Sequence, residues 1–358
     1  MKSSSKILIA IAISLCSLST QASETAINLD PFDEMENKIV NKDYKKITSV
    51  LVNKKGSLVY EKYFNEGSKS HLNDVRSASK SITALLFGQA IENGLFNSEQ
   101  DKVIPVFADK QPIANLTPKK ANMTFQDLLM MNPPMECNDW NNMSQGNEER
   151  MYLLEDWERF VLDLPNRGTP PWEPSVEDRP YGVAYSYCTG GVFLTGSAIS
   201  RKAKMGLDDF AEKYLFSPME INKSVWPYSP MGIAQGGGGL RLSSRDYLKL
   251  GQLILDKGVY KGQSIINASW INKMLKARSL AMPDRGIEYG YLWWIFPFEH
   301  QGKQIRAYAA AGNGGNYLWV VPELELVSLV TSTAYNTSYM HQQTQEIFEK
   351  VVLKSLLD

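Results

Sequence analysis

The sequence predicts an α/β (α+β) fold in which one antiparallel sheet, flanked by helices, is built from both ends of the chain around an inserted helical region. Three observations carry this. Two β-rich runs at 47–52 and 58–64 surround the turn Asn53-Lys54-Lys55-Gly56 and read as a hairpin. Four further β-rich runs, at 291–296, 305–310, 317–321 and 326–331, follow residue 288. The chain between about 100 and 287 is dominated by helical patterns. The two β-rich ends pair into one sheet, expected from about 45–76 and 288–358, because neither end alone can cover its apolar face.

The elements follow in order. Residues 23–45 are polar, with little periodicity. A helix begins at about residue 77 and ends near Gly94. Thr124-Phe125-Gln126-Asp127 has the form of a capped helix start. Over 151–164, Leu154, Trp157, Val161 and Leu164 recur at helical spacing. Residues 167–180 are Pro-rich and read as loop. A helix is expected at 207–215, and Gly236-Gly237-Gly238-Gly239 forms a tight backbone passage. Ser243-Ser244-Arg245-Asp246 then caps a helix running through 255, and 341–357 forms a closing amphipathic helix.

The 358 residues are 43% hydrophobic and 22% charged, enough for one large domain over 23–358. The net charge is −1 with no block of like charge, so neither nucleic acid nor a polybasic membrane contact is indicated. Residues 1–22 have the layout of a cleavable signal peptide: Lys2 and Lys6, a short apolar run over 7–18, then Thr20-Gln21-Ala22. A periplasmic or secreted protein is therefore expected. The apolar run is too short for a membrane span. Cys16 leaves with that segment, so Cys137 and Cys188 remain, either paired or as two buried thiols. Three scattered histidines, His71, His300 and His341, make a metal centre improbable, and no cofactor is expected.

The chemistry concentrates in three runs. Arg76-Ser77-Ala78-Ser79-Lys80-Ser81 contains an S-x-x-K pattern at a helix start. Residues three apart share a helix face, so Ser77 and Lys80 lie side by side. A serine needs an adjacent base to become a nucleophile, and a lysine serves when burial lowers its pKa. Next, Tyr187-Cys188-Thr189-Gly190-Gly191 supplies a tyrosine able to move a proton between nucleophile and leaving group. Tyr185 competes for that role, but the Gly-Gly and apolar helix follow Tyr187. Finally, Ala310-Ala311-Gly312-Asn313-Gly314-Gly315-Asn316 lies between two strands, where Gly312 allows close approach and the Asn313 amide can join that of Ser77 as an oxyanion donor. Trp140, Trp157, Trp172, Trp293 and Trp294 are available to line an apolar cleft.

These runs, in this order, resemble the serine β-lactamase-related hydrolases: class C β-lactamases, D-aminopeptidases, family VIII esterases and 6-aminohexanoate-oligomer hydrolases. Gly237-Gly238-Gly239-Leu240, Ser244-Arg245-Asp246, Tyr289-Gly290-Tyr291 and Val321-Pro322-Glu323 extend the resemblance over most of the chain. It implies a β-lactamase/transpeptidase-like fold, a site at the junction of sheet and helical region, and Ser77, Lys80 and Tyr187 as catalytic residues. It also implies that Thr189, Gly312 and Asn313 face the substrate, and that Cys137 borders the site. The chain departs from the family's pattern in three places. Ala310-Ala311-Gly312 stands where K-T-G or H-x-G is common, Thr189 replaces the asparagine of Y-x-N, and Asn132-Pro133-Pro134 replaces a Ser-Gly turn. The first two remove groups that would hold a β-lactam. Lys303 or Arg306 on the preceding strand is the expected substitute cation.

The function expected is hydrolysis of a small-molecule or peptide-like ester or amide through a Ser77 acyl-enzyme. The alternatives are a non-catalytic penicillin-binding-like receptor or sensor, and a β-lactamase or D-peptidase. A Ser-His-Asp hydrolase has no G-x-S-x-G elbow to support it.

Overall fold

The computed structural model describes residues 27–168, 185–300 and 302–357. The signal-peptide reading of 1–22, the loop reading of 169–180 and Trp172 lie outside them. The described chain begins with α1 (Asp30–Val40), followed by the hairpin β1 (Ile47–Lys54) and β2 (Ser57–Tyr63) and the short β3 (Leu72–Asp74). A 3-10 turn, Arg76–Ser79, opens directly into α2 (Lys80–Glu92). The helical region carries α3 (Pro118–Ala121), α4 (Phe125–Leu129), α5 (Glu148–Met151), α6 (Trp157–Asp163), α7 (Thr189–Ala203) and α8 (Leu207–Ala211). Then come β4 (Arg241–Ser243), α9 (Ser244–Leu255), the small hairpin β5 (Val259–Tyr260) and β6 (Gln263–Ser264), and α10 (Ala268–Met274). The chain returns to the sheet with β7 (Ser279–Met282), β8 (Ile287–Tyr289), β9 (Trp294–His300), β10 (Lys303–Gly312), β11 (Asn316–Val321) and β12 (Leu326–Ser332). It closes with α11 (Met340–Ile347), a π-type turn and α12 (Lys354–Leu357).

The main sheet has the order β2-β1-β12-β11-β10-β9-β8-β7, antiparallel throughout. The N-terminal hairpin joins the C-terminal strands through β1 and β12, as the two β-rich ends require. Every residue of β11 and β12 is buried, which means that the sheet centre is covered on both faces. Alternation along β11 divides its side chains between those faces. Leu318 meets α9 at Gly251, where a Cβ would come within 2.8 Å of it. Trp319 faces the other way and stacks on Phe348 at 4.4 Å between centroids. Phe348 also meets Phe298 of β9 at 5.3 Å, so the C-terminal helical segment seals that face.

Several boundaries differ from the sequence reading. Residues 23–45 contain α1, whose buried residues are Pro31, Phe32, Met35 and Ile39; Phe32 stacks on Tyr60 of β2 at 4.0 Å. The amphipathic run at 151–164 is not one helix. Asp156 accepts a hydrogen bond from the Arg159 amide at 2.9 Å and so starts α6 afresh. The helix at 207–215 is α8 followed by a π-type turn. The sheet reclaims the chain at Ser279, not 288, because β7 and β8 form its edge. The strand read at 291–296 starts only at Trp294, after Leu292 takes a left-handed φ of 57°. The capped starts hold: Thr124 and Asp127 form a capping box, and Ser243 accepts from the Asp246 amide. Among the described residues, no helix is long and apolar enough to cross a membrane.

Phe348→Ala removes a fully buried ring that joins Trp319 and Phe298. We expect a loss of roughly 3–5 kcal/mol in denaturant unfolding.

Candidate active site

The turn that carries Ser77 is fixed before any chemistry is considered. Arg76 adopts a left-handed φ of 51°, unusual for a side chain with a Cβ. It is held there by its neighbours. Its amide donates to Asp74 at 3.0 Å, its guanidinium lies 4.4 Å from the Tyr335 ring centroid, and Ser79 Oγ donates to its carbonyl at 2.7 Å. Tyr335 in turn donates to the Asp74 carbonyl at 2.9 Å. This turn presents a half-buried Ser77 one turn ahead of Lys80, the first residue of α2.

Lys80 is 1% exposed and forms no ion pair among the described residues. Its Nζ donates to Ser77 Oγ at 2.9 Å and to the Gly237 carbonyl at 2.5 Å. Burial pushes its pKa below the usual lysine value, with the carboxylates of Glu148 and Asp139 opposing the shift. The Gly236–Gly239 run is what brings a carbonyl to this amine. A Cβ on Gly236 would sit 2.9 Å from Thr83 Oγ1, and one on Gly237 would sit 2.8 Å from Thr189 Cγ2.

Tyr187 approaches from the helical region and lines the same cavity as Ser77, whose hydroxyl pulls against the upward shift of its phenol. Lys80 Nζ lies 4.9 Å from its ring centroid. Burial drives the phenol well above its ordinary pKa, so it carries its proton at neutral pH, while the same burial shifts Lys80 downward, towards the neutral amine. Tyr185 is no rival in space. Its hydroxyl is buried without a hydrogen-bond partner among the described residues, and its ring packs edge-on against Tyr289 at 5.2 Å.

A Cys137–Cys188 disulfide, with Cα atoms 5.4 Å apart, locks this approach. It closes a loop of 51 residues, worth about 4 kcal/mol in the chain-entropy account. Beside it the Asp139 amide donates to the Tyr187 carbonyl at 2.8 Å. The Asp139 carboxylate accepts from the amides of Thr189 at 2.7 Å and Glu148 at 2.9 Å. Burial, reinforced by Glu148, pushes Asp139 up to about 6 against the pull of Lys80.

A cavity of about 350 Å³ opens over Ser77 where the sheet meets the helical region. Gly312 lies at its floor, packed so closely on the nucleophile turn that a Cβ would come within 2.1 Å of the Val75 carbonyl and 3.2 Å of the Ser77 amide. Asn313 also lines the cavity and is fixed by a reciprocal pair with Asn336, at 2.7 and 2.9 Å. The Ser77 amide, in the first turn of the 3-10 segment, thus lies against Gly312, the residue before Asn313. Trp140 and Trp294 form the aromatic wall. Trp140 stacks on Tyr187 at 5.5 Å and on Trp294 at 6.0 Å. Trp157 and Trp293 are buried away from it.

Ser77, Lys80, Tyr187, Gly312 and Asn313 therefore come together. Thr189 does not join them. As the first residue of α7 it is fully buried, its Oγ1 has no partner among the described residues, and it does not line the cavity. Lys303 and Arg306 also stay away: Lys303 begins β10 at its far end, and Arg306 pairs with Glu288 at 3.2 Å. The sequence reading missed Asp139, Glu148, Arg285, Tyr317, His341 and Gln345, all of which line the cavity. Only Asp139 carried a local signal, two residues beyond Cys137.

The Beta-lactamase family profile matches residues 47–351, and the chain belongs to that family. It is a serine hydrolase of the esterase and amidase type. It is 20% identical over 296 residues to a 6-aminohexanoate-dimer hydrolase from Paenarthrobacter ureafaciens, covering 78% of this chain and 71% of that one. A 6-aminohexanoate-dimer hydrolase candidate from Bacillus anthracis superposes with a TM-score of 0.70 at 20% identity, covering 89% of this chain and 82% of the other. The hydrolase EstCE1, which has promiscuous acyltransferase activity, also superposes with a TM-score of 0.70, at 13% identity over 92% of this chain and 98% of its own.

Asp139 stabilises the protonated form of Lys80, so removing its charge lowers the lysine pKa further. In Asp139→Asn the rising limb of kcat/KM against pH should therefore move to lower pH. A limb that stays in place would mean that Asp139 does not act on the base.

Proposed function

We propose that this chain hydrolyses an ester or amide through an acyl-enzyme on Ser77. Once Lys80 is neutral, the 2.9 Å contact reverses so that the Ser77 O–H donates to Nζ, and the amine takes that proton as Oγ attacks the carbonyl carbon. The amides of Ser77 and Asn313 receive the oxyanion. Tyr187, still protonated, gives its proton to the leaving group and recovers one from the lysine, so the pair acts as one coupled acid–base unit. Water then attacks the acyl carbonyl by the reverse path and frees the serine. The single observation that carries this reading is the buried lysine with its amine 2.9 Å from Ser77 Oγ and no carboxylate bound to it. The layout of residues 1–22 supports export to the periplasm or outside the cell.

The filled catalytic positions and the open cavity favour turnover over a receptor role. The absence of a cation at Ala310-Ala311-Gly312, with Lys303 and Arg306 out of reach, favours simple esters and linear amides over β-lactams.

Ser77→Ala should abolish ester hydrolysis. Lys80→Ala should lower the acylation rate by roughly 10²–10⁴-fold. Tyr187→Phe should be nearly as damaging, and Tyr185→Phe mild. These are read as kcat/KM on p-nitrophenyl esters, with nitrocefin and linear amides in parallel. Wild-type rates in Ser77→Ala would refute the assignment, and nitrocefin turnover faster than ester turnover would refute the substrate preference.

A further inference from the structure

Besides Asp139 and Glu148, four polar side chains line the cavity in an unbroken chain of hydrogen bonds. An Arg285 guanidinium N–H donates to Gln345 Oε1 at 2.7 Å. Gln345 Nε2 donates to the Tyr317 hydroxyl at 3.0 Å. The Tyr317 hydroxyl lies 3.1 Å from His341 Nδ1. A guanidinium can only donate, so Gln345 turns its oxygen to Arg285 and its NH₂ to Tyr317. Tyr317 and His341 Nδ1 share the last bond, in which either can be the donor according to the imidazole tautomer. Burial and the nearby Arg285 charge lower the His341 pKa.

The Arg285 end of this wall is a donor, through the guanidinium N–H groups that Gln345 does not take. Arg285 forms no ion pair among the described residues, although other exposed arginines, such as Arg245 and Arg306, do. Asp139 and Glu148 line the same cavity, so an anionic group entering it is repelled by them and attracted by Arg285. A planar guanidinium is suited to a carboxylate, which it can hold by two parallel bonds.

We propose that the Arg285–Gln345–Tyr317–His341 wall is an anion site that holds a carboxylate of the substrate while its ester or amide carbonyl lies at Ser77. The substrate class is thus a carboxylate-bearing ester or amide. The site replaces, from the β7–β8 connection and α11, the charge that β10 lacks at Ala310-Ala311-Gly312. This inference rests on the acyl-enzyme reading, and its test separates the two.

Three esters are compared: p-nitrophenyl butyrate, mono-p-nitrophenyl glutarate with a carboxylate on the acyl side, and 3-carboxyphenyl butyrate with one on the leaving-group side. The wild-type enzyme should favour one of the two acids over the neutral ester by about tenfold or more in kcat/KM, chiefly through KM. Arg285→Ala should collapse that ratio towards one, and Arg285→Lys should restore part of it. A general loss of folding would lower all three rates together and leave the ratio standing. No preference in the wild type, or a preference that survives Arg285→Ala, would overturn the anion site and leave the hydrolase reading intact. If no ester is turned over, the hydrolase reading fails, and the anion site is read instead by calorimetric binding of glutarate. Binding lost in Arg285→Ala supports the site, and no binding by the wild-type protein overturns it.

Discussion

The structure depends on keeping one amine out of water. A lysine in solution is protonated at neutral pH and useless as a base, and burial is what lowers its affinity for a proton. Removing an ammonium from water costs several kcal/mol unless it neutralises, so the surroundings must hold an uncharged amine and still satisfy its hydrogen bonds. The hydrogen-bond partners of Lys80 are one hydroxyl, Ser77, and one carbonyl, Gly237, neither of which carries a charge. The carboxylates that would have fixed the charge, Asp139 and Glu148, act on Lys80 from a distance and do not bind it. Asp139 is itself pushed up to about 6, so it takes up its own proton as the pH falls towards that value and then supports the Lys80 charge less.

The rest of the fold supplies walls for that amine. The sheet contributes β10, whose Gly312 presses against the Ser77 turn with no room for a side chain. The helical region contributes Tyr187, tied to the Asp139 loop by the disulfide and by a backbone hydrogen bond. The glycine passage at 236–239 contributes the carbonyl. Because these parts come from distant stretches of sequence, the site exists only once the chain ends have paired through β1 and β12. The closed, two-faced packing of that sheet, with α9 on one side and the C-terminal segment on the other, makes the pairing rigid enough to hold a site.

What could be read from the sequence was what local geometry dictates. Ser77 and Lys80 are one helical turn apart, and a glycine pair and an apolar helix mark Tyr187. The hairpin and the late strands are β-rich runs separated by turn residues. The elements that were missed depend on tertiary contact. Phe32, Met35 and Ile39 are too few among charged neighbours to announce α1, which exists because Phe32 finds Tyr60. Thr189 was read as facing substrate from its place in the motif. It turns inward because Cys188 caps α7, accepting from the Gly191 amide at 3.2 Å, and Asp139 takes the Thr189 amide. Arg285, Tyr317, His341 and Gln345 come from the sheet edge, its middle and the last helix, and no spacing in the sequence links them.

The central claim is that Ser77 is a nucleophile activated by a neutral, buried lysine. Intact-mass analysis and peptide mapping after reaction with a fluorophosphonate, over a range of pH, test it most directly. The account requires one adduct per chain, on the peptide bearing Ser77, formed at a rate that rises with pH and levels off below the range of an ordinary lysine. An adduct on another residue, or a Ser77 labelling rate that does not change with pH until above that range, would contradict it.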